Sequence, residues 1–441
     1  MATVLYLSGF CNLRLNMMNS ENQWFRSRGY LHFDSPVKLR KACQIVKSPL
    51  NVAHHAFLPL ISYDIHSFKI SIDKDGNIQK KIKERPISYA SHIDSHIYSY
   101  YAELLSNVYE KALHKLQLKD SVLAFRSLGK SNIDFANTAF EKIKAHGDCT
   151  AIAMDISGFF DNLDHVILKS MWCKLLQENS LPDDHFNIYC SLTKSSTVNR
   201  DLLYAALKIS RNNPKSTGAR LCDIKTFRDK IRGLGLIKTN STGRGIPQGT
   251  SISALLSNIY MLDFDKKIKE IVTSISGEYY RYCDDMLFII DSDKTSELIS
   301  IVTQSISELK IEINDKKTEV RNFHVYSGVQ KCDKPLQYLG FIFDGERKLI
   351  RSAALARFSG RMKAGVRLAK KTHQKANLIE EKNGVAKTPL FKKKIYERYS
   401  HLSKRNFITY GHKAANIMGS NAIKKQLKPL WGRLLKEINE Q

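Results

Sequence analysis

Apolar residues in this chain gather in short runs, and carboxylates break several of them where a buried segment would exclude charge. The run from Tyr279 to Ile290 is long enough for two buried strands, and Asp284 and Asp285 fall where a hairpin turn would join them. A second apolar strand, Ala151 to Met154, ends at Asp155. The glycine-rich stretch Gly243 to Ser251 leads into a helix-like segment, Ile252 to Leu262. Nearer the start, Phe68–Ile72 and Ile78–Tyr89 flank Asp75-Gly76, a hairpin signal. Ile93, Ile97, Tyr101, Leu104 and Val108 recur every three or four residues and predict one face of a helix. Leu355, Phe358, Met362 and Val366 predict another apolar stripe, with Arg357, Arg361, Arg367 and Lys371 largely off it. Gln337 to Phe341 predicts a strand entering a turn at Asp344-Gly345, while the first sixty residues mix aromatic and basic positions without a clear period.

Composition adds a partner. The chain has 441 residues, 43% of them hydrophobic, which is ordinary for a protein with a real core. Its 69 Lys and Arg against 43 Asp and Glu give a net charge of +26, which points to a polyanion. From Arg351 to Gln441 there are 22 basic and 5 acidic residues, a bias too one-signed for a merely solvated face. The eight Cys form no C-x-x-C pair, which argues against a zinc module or a disulfide framework. No stretch reaches the roughly 18 apolar residues of a membrane span, and Met1–Phe10 lacks the basic flank of a signal peptide. The expectation is a reduced, soluble, cytoplasmic protein with no membrane partner, and no pattern fixes its oligomeric state.

The interrupting carboxylates carry the chemistry. Two adjacent Asp between buried strands are costly unless a cation neutralises them, and paired hard oxygen ligands suit Mg²⁺. A site with two such ions needs a third carboxylate, which Asp155 supplies across 129 residues of sequence, so tertiary folding must assemble it. In the loop between them, glycines permit close backbone approach to a nucleotide and Gln248 offers an amide. His92, Asp94 and His96 read as polar residues of a helix start rather than as metal ligands.

A strand ending in Asp155, then Gly245-Ile246-Pro247-Gln248-Gly249-Thr250 before a helix, then Tyr282-Cys283-Asp284-Asp285 on a hairpin closely resembles, in order and identity, motifs A, B and C of reverse transcriptases. The resemblance implies an α+β right-hand polymerase fold: an N-terminal extension at 1–65, fingers at 66–150, a palm at 151–345 with a fingers insertion at about 166–240, and a basic helical thumb at 346–441. It implies two Mg²⁺ ions held by Asp155, Asp284 and Asp285, with the Ile156 carbonyl as a further ligand. Deoxynucleoside triphosphates would meet Arg85 and Lys69 of the fingers hairpin, the Gln248-Gly249 loop, and Phe160, an aromatic gate against a ribose 2′-hydroxyl. A one-residue slip would present Asp161 instead and favour RNA synthesis. Phe125 to Ile133 resembles the finger block of bacterial and group II intron members, which places Arg126 and Lys130 on phosphate. Glu312 to Glu319 resembles motif D, with Lys317, or Lys316 in the other register, as proton donor to pyrophosphate. Gln337 to Phe341 resembles motif E, making Tyr338, Leu339 and Gly340 a primer grip. Arg357, Arg361, Arg367 and Lys371 would follow the nucleic-acid backbone.

Within the family, the finger block, the Cys in the hairpin and the run Pro86 to Asp94 most resemble bacterial defence-associated, unknown-group reverse transcriptases, related to retron and group II intron enzymes. A retron Val-Thr-Gly thumb signature is not evident, and no length remains after Gln441 for an RNase H, integrase or endonuclease domain. The implied partners are a structured non-coding RNA template and the DNA strand copied from it, and the implied role is antiphage defence. Other readings are a maturase-like RNA-binding scaffold, an RNA-dependent RNA polymerase, and protein-primed or untemplated DNA synthesis.

Overall fold

The computed structural model describes residues 22–72, 76–214 and 218–440; the side chains at 67–72, 78, 80 and 81 lie outside the described set. Two short helices, α1 (Leu39–Val46) and α2 (Pro49–Ala53), precede a long antiparallel hairpin of β1 (Leu60–Ile72) and β2 (Ile78–Tyr89). The first strand thus begins eight residues before the segment its apolar pattern marked. Trp24, Val46 and Val52 are buried in the main core, so the N-terminal residues without a period pack on the body through single large side chains.

Helix α3 (His92–Lys115) starts at the Ser91 cap, whose hydroxyl accepts from the Asp94 N–H. Its buried face is Ile97, Tyr101, Leu105, Tyr109 and Leu113, an i, i+4 series. Leu104, placed on that face by the sequence, lies about 100° away from Leu105 around the helix and is 39% exposed. Asp94 is buried and accepts from His55 Nε2 (2.7 Å) and the Leu58 N–H (3.0 Å), so it fixes the loop before β1 to the helix start.

After α4 (Asn132–His146) comes β3 (Cys149–Ser157), followed by α5 (Phe159–Asn162), α6 (His165–Leu176) and α7 (Asp183–Thr193). Strand β4 (Ser196–Asn199) runs parallel to β1 and leads through α8 (Arg200–Ala206) to β5 (Ile237–Thr239), which completes a four-stranded sheet in the order β2-β1-β4-β5. Helices α9 (Ser253–Tyr260) and α10 (Leu262–Ser274) then deliver the chain to the hairpin β6 (Glu278–Tyr282) and β7 (Asp285–Ile290).

Beyond α11 (Thr295–Glu308) and β8 (Glu312–Ile313), strands β9 (Glu319–Tyr326) and β10 (Val329–Cys332) close the central antiparallel sheet in the order β10-β9-β3-β7-β6, with β8 pairing the end of β3. β3 and β7 are almost wholly buried, as two-sided strands inside helices require. A small sheet of β11 (Leu336–Tyr338), β12 (Phe341–Phe343) and β13 (Lys348–Ile350) joins this core to α12 (Ser352–Lys382), α13 (Lys393–Tyr399), α14 (Phe407–Ile417) and α15 (Asn421–Asn439). Phe358, Met362 and Val366 of α12 are buried as their spacing predicts. No helix among the described residues is long and apolar enough to cross a membrane.

Candidate active site

The β3–β7 register sets Asp155 directly opposite Asp285. Opposed residues of an antiparallel pair share a face, so two carboxylates are held side by side by backbone pairing alone. Cys283 and Asp284 form the two-residue turn of the β6–β7 hairpin, and the Ile156 N–H donates to the Asp284 carbonyl (3.1 Å), which ties the turn to the strand carrying Asp155. Cys283 sits at φ +61, a left-handed conformation that hairpin turns usually give to glycine.

Charge is concentrated here. Burial first, then the neighbouring Asp284 and Asp155, pushes the Asp285 carboxyl up to about 7, with Lys317 opposing the shift. Lys317 Nζ lies 2.5 Å from Asp155 Oδ1; both Lys316 and Lys317 are exposed, and of the two registers it is Lys317 that reaches the carboxylates. Among the described residues no group of three His, Cys, Asp or Glu stands ready as a metal cage, and the ammonium of Lys317 takes Asp155 instead. The donor chemistry nevertheless fits a hard divalent cation: oxygen ligands only, with one carboxyl whose proton affinity is raised by the charge of its neighbours.

The glycine-rich loop is held from two sides, by the segment that follows β3 and by β2. The Gly245 N–H donates to the Leu163 carbonyl (2.8 Å) and the Ile246 N–H to the Phe160 carbonyl (2.9 Å), and a Cβ at Gly245 would stand 2.7 Å from the Asp161 carbonyl oxygen. Toward the hairpin of β1 and β2, the Ser88 N–H donates to the Gln248 carbonyl (2.7 Å), and a Cβ at Gly249 would meet the Ser88 oxygen at 2.5 Å. Gln248 Nε2 lies 3.4 Å from Asp161 Oδ1, and half-buried Phe160 precedes that carboxylate on α5. Phe160 and Asp161, the two residues expected at a sugar gate, therefore stand beside the loop.

The tight turn between β11 and β12 contains Leu339 and Gly340, at φ +46 and +92, and Asn132 donates to the Leu339 carbonyl (3.0 Å). Tyr338 is buried with its hydroxyl unpartnered, and burial followed by the charge of Asp285 drives its ionisation far up. Arg85 on β2 and Lys130 are exposed, with no ion pair among the described residues, while the Lys69 side chain lies outside that set. Arg357, Arg361 and Lys371 are exposed along α12.

Two cations depart from expectation. Arg126, expected on phosphate, is buried, its side chain 3% exposed: it grips both oxygens of Glu110 (2.8 and 2.7 Å) and donates to the carbonyls of Lys119 and Val122. Its donors are consumed in closing the turn after α3. Arg367, expected along a nucleic-acid backbone, directs Nε to Glu437 Oε1 (2.8 Å) and so ties α12 to α15.

Sequence reasoning missed Arg281. It lies fully buried on β6 against fully buried Asp265 of α10, with Nε to Oδ1 at 2.7 Å and Nη2 to Oδ2 at 2.5 Å. Burial disfavours its charge, and Asp265 more than offsets that, so the guanidinium stays ionised. The available signal was a cation inside the same apolar run that Asp284 and Asp285 interrupt.

Central sheet, glycine loop and carboxylate hairpin together make an α+β polymerase fold. The sequence matches the profile of the family "Reverse transcriptase (RNA-dependent DNA polymerase)" over residues 72–343. That is more than half of the chain, and the protein belongs to this family. No curated protein sequence matches it significantly. Among solved structures it is similar to apo telomerase from Candida tropicalis (12% identity, 92% of this chain and 65% of that one, TM-score 0.39). It is also similar to telomerase from Candida albicans in complex with a TWJ fragment of telomeric RNA (11% identity, 91% and 66%, TM-score 0.39). The chain spans just under two thirds of the length of each.

Proposed function

We propose that this protein is an RNA-directed DNA polymerase that copies a bound, structured non-coding RNA. The observation that carries the reading is Asp155 opposite Asp285, with Asp284 in the adjoining turn and the glycine loop bonded to the segment that follows Asp155. Asp155, Asp284, Asp285 and the Ile156 carbonyl would hold two Mg²⁺ ions, which when bound activate a primer 3′-hydroxyl and neutralise departing pyrophosphate. Arg85, Lys69 and Lys130 would draw the triphosphate in. The Gln248-Gly249 loop bears on the sugar and base, and Phe160 excludes a 2′-hydroxyl. Lys317, held at Asp155, would donate a proton to pyrophosphate. Tyr338, Leu339 and Gly340 seat the primer end, and Arg357, Arg361 and Lys371 run along the duplex phosphates, a sequence-independent grip. The likeness of residues 86–94 and of the Cys-bearing hairpin to bacterial defence-associated members supports a cytoplasmic antiphage role.

The test is to purify the protein with its native genomic neighbourhood, sequence the RNA that accompanies it, and add labelled deoxynucleotides with Mg²⁺, using Asp284→Ala as control. Labelled DNA complementary to one bound RNA, absent in the mutant, is expected. Bound RNA without DNA synthesis by the wild type would replace this reading with a scaffold. A second reading, RNA synthesis, draws on Asp161 beside Gln248, and preference for ribonucleotides in the same assay would establish it.

A further inference from the structure

The two peptide groups that flank Asp284 are both pinned. On its C-terminal side, the Asp284 carbonyl accepts from the Ile156 N–H (3.1 Å). On its N-terminal side, the Cys283 carbonyl accepts from Arg281 Nη1 (3.1 Å). With both planes fixed, the φ and ψ of Asp284, and so the direction of its Cα–Cβ bond, have little freedom. The left-handed φ of Cys283 needs such restraint, since a non-glycine residue there stores strain that only surrounding contacts can hold.

Arg281 is itself immobilised. Asp265 takes Nε and Nη2, and the Tyr279 hydroxyl donates to the same carboxylate (2.7 Å). Asn258 of α9 accepts from Nη1 (3.0 Å) while its own amide donates to the Ala124 carbonyl (2.9 Å). The Arg281 backbone exchanges bonds with Ser121 and Leu123, so the segment after α3 pairs alongside β6. The guanidinium thus connects the helices behind the glycine loop, the strand and the segment after α3 to one carbonyl in the carboxylate turn. A lysine ammonium could answer the charge of Asp265 without the fork, whereas the contacts to Asn258 and Cys283 need the spread of a guanidinium, which carries Nη1 beyond the Asp265 carboxylate.

We propose that Arg281 is a positioning residue for Asp284: through the Cys283 carbonyl it sets the carboxylate turn, and through Asp265 and Asn258 it takes its own position from α10 and α9. This rests on the reading that Asp284 binds the reacting metal ions. Partners that orient metal ligands at one remove are typically worth about 10- to 100-fold in metal affinity or activity.

Two variants separate position from stability. Arg281→Lys keeps a charge opposite Asp265 but cannot also serve Asn258 and the Cys283 carbonyl. Arg281→Met combined with Asp265→Leu removes the buried pair altogether, an exchange that proteins often tolerate. Each is compared with wild type and Asp284→Asn by thermal melting, by titration with Mn²⁺ followed by electron paramagnetic resonance, and by primer extension. The expected result is a cooperative melt near that of wild type in Arg281→Lys, Mn²⁺ affinity and kcat lowered by about tenfold or more in both variants, and the deoxynucleotide KM within about twofold. A folded variant with wild-type Mn²⁺ affinity and kcat overturns the proposal. So does unfolding of Arg281→Lys, because the fork on Asp265 would then be what the fold requires. If wild type extends no primer, the polymerase reading falls while the Mn²⁺ titration still decides the role of Arg281; if it binds no Mn²⁺ either, both fall.

Discussion

Replacing Gly249 by alanine would put a methyl carbon 2.5 Å from the Ser88 carbonyl oxygen and 3.0 Å from Ile87 Cγ2, at a backbone φ of +109. The dihedral alone costs a non-glycine residue about 1–3 kcal/mol. The overlap adds about 1–3 kcal/mol more, because the atom struck is backbone in β2 and cannot rotate aside. Against that, letting the loop leave β2 sacrifices one bond, Ser88 N–H to the Gln248 carbonyl, with a net worth of about 1 kcal/mol. Release is therefore the cheaper response, and the loop should detach rather than the fold collapse. If nucleotide binding requires the attached loop, the competent fraction falls and the deoxynucleotide KM rises by at least about fivefold, from a bias of at least about 1 kcal/mol. Steady-state primer extension over a range of nucleotide concentrations, with thermal melting alongside, measures both effects. Gly360→Ala serves as control: it lies in α12 with nothing within 4 Å of the added carbon, and should stabilise by about 0.5–1 kcal/mol without touching KM. A Gly249→Ala enzyme with wild-type KM would refute the coupling of this loop to the β1–β2 hairpin.

Phe160→Ala should admit ribonucleotides, raising their kcat/KM relative to deoxynucleotides by about tenfold or more; an unchanged ratio would assign discrimination elsewhere, with Asp161 next in line. Arg126→Ala should cost about 1–3 kcal/mol of stability, since two carbonyls and Glu110 lose their donor, while leaving the nucleotide KM alone. Arg85→Ala should do the reverse, and matching phenotypes for the two would contradict the burial argument. Burial pushes His32 and His96 down to about 4, so the folded protein holds them neutral where the unfolded chain, at about 6.5, takes up protons. Their contribution to stability is complete above pH 6.5 and is lost as pH falls toward 4. Melting temperatures should drop across that window, and more shallowly in His96→Phe; an identical slope in the variant would exclude His96.

The carboxylates were legible because each lies within a local pattern: an apolar strand ending at Asp155, and an apolar hairpin broken at Asp284-Asp285. The register that sets Asp155 against Asp285 was not legible, because strands buried on both faces lose no burial in a one-residue slip. Cations were less legible, because a basic residue in a loop reads the same whether it meets solvent or a carboxylate. Arg126 and Lys130 stand four positions apart in one finger block, yet the first is enclosed by Glu110 and two carbonyls and the second is exposed. What distinguishes them is the turn after α3, a tertiary feature. Leu104 and Leu105 make the same point on a helix, where a shift of one position exchanges core for surface.

Arg281 is the instructive case, because the rule that exposed Asp284 and Asp285 applies to it unchanged. A charge inside a buried strand must have a partner of opposite sign, whether it is negative or positive. For the carboxylates the chain supplies, among the described residues, only Lys317, on Asp155, and the proposed function gives the rest of the neutralisation to metal ions, so the anomaly stays visible as a cluster of like charges. For Arg281 the partner is Asp265, sixteen residues earlier on a helix whose own pattern marks it as an ordinary first-turn acid. Once folded, each hides the other. The run from Tyr279 to Ile290 therefore carries two kinds of interruption: Arg281, neutralised within the protein by Asp265, and Asp284-Asp285, whose like charges the fold brings beside Asp155 without an equal number of cations.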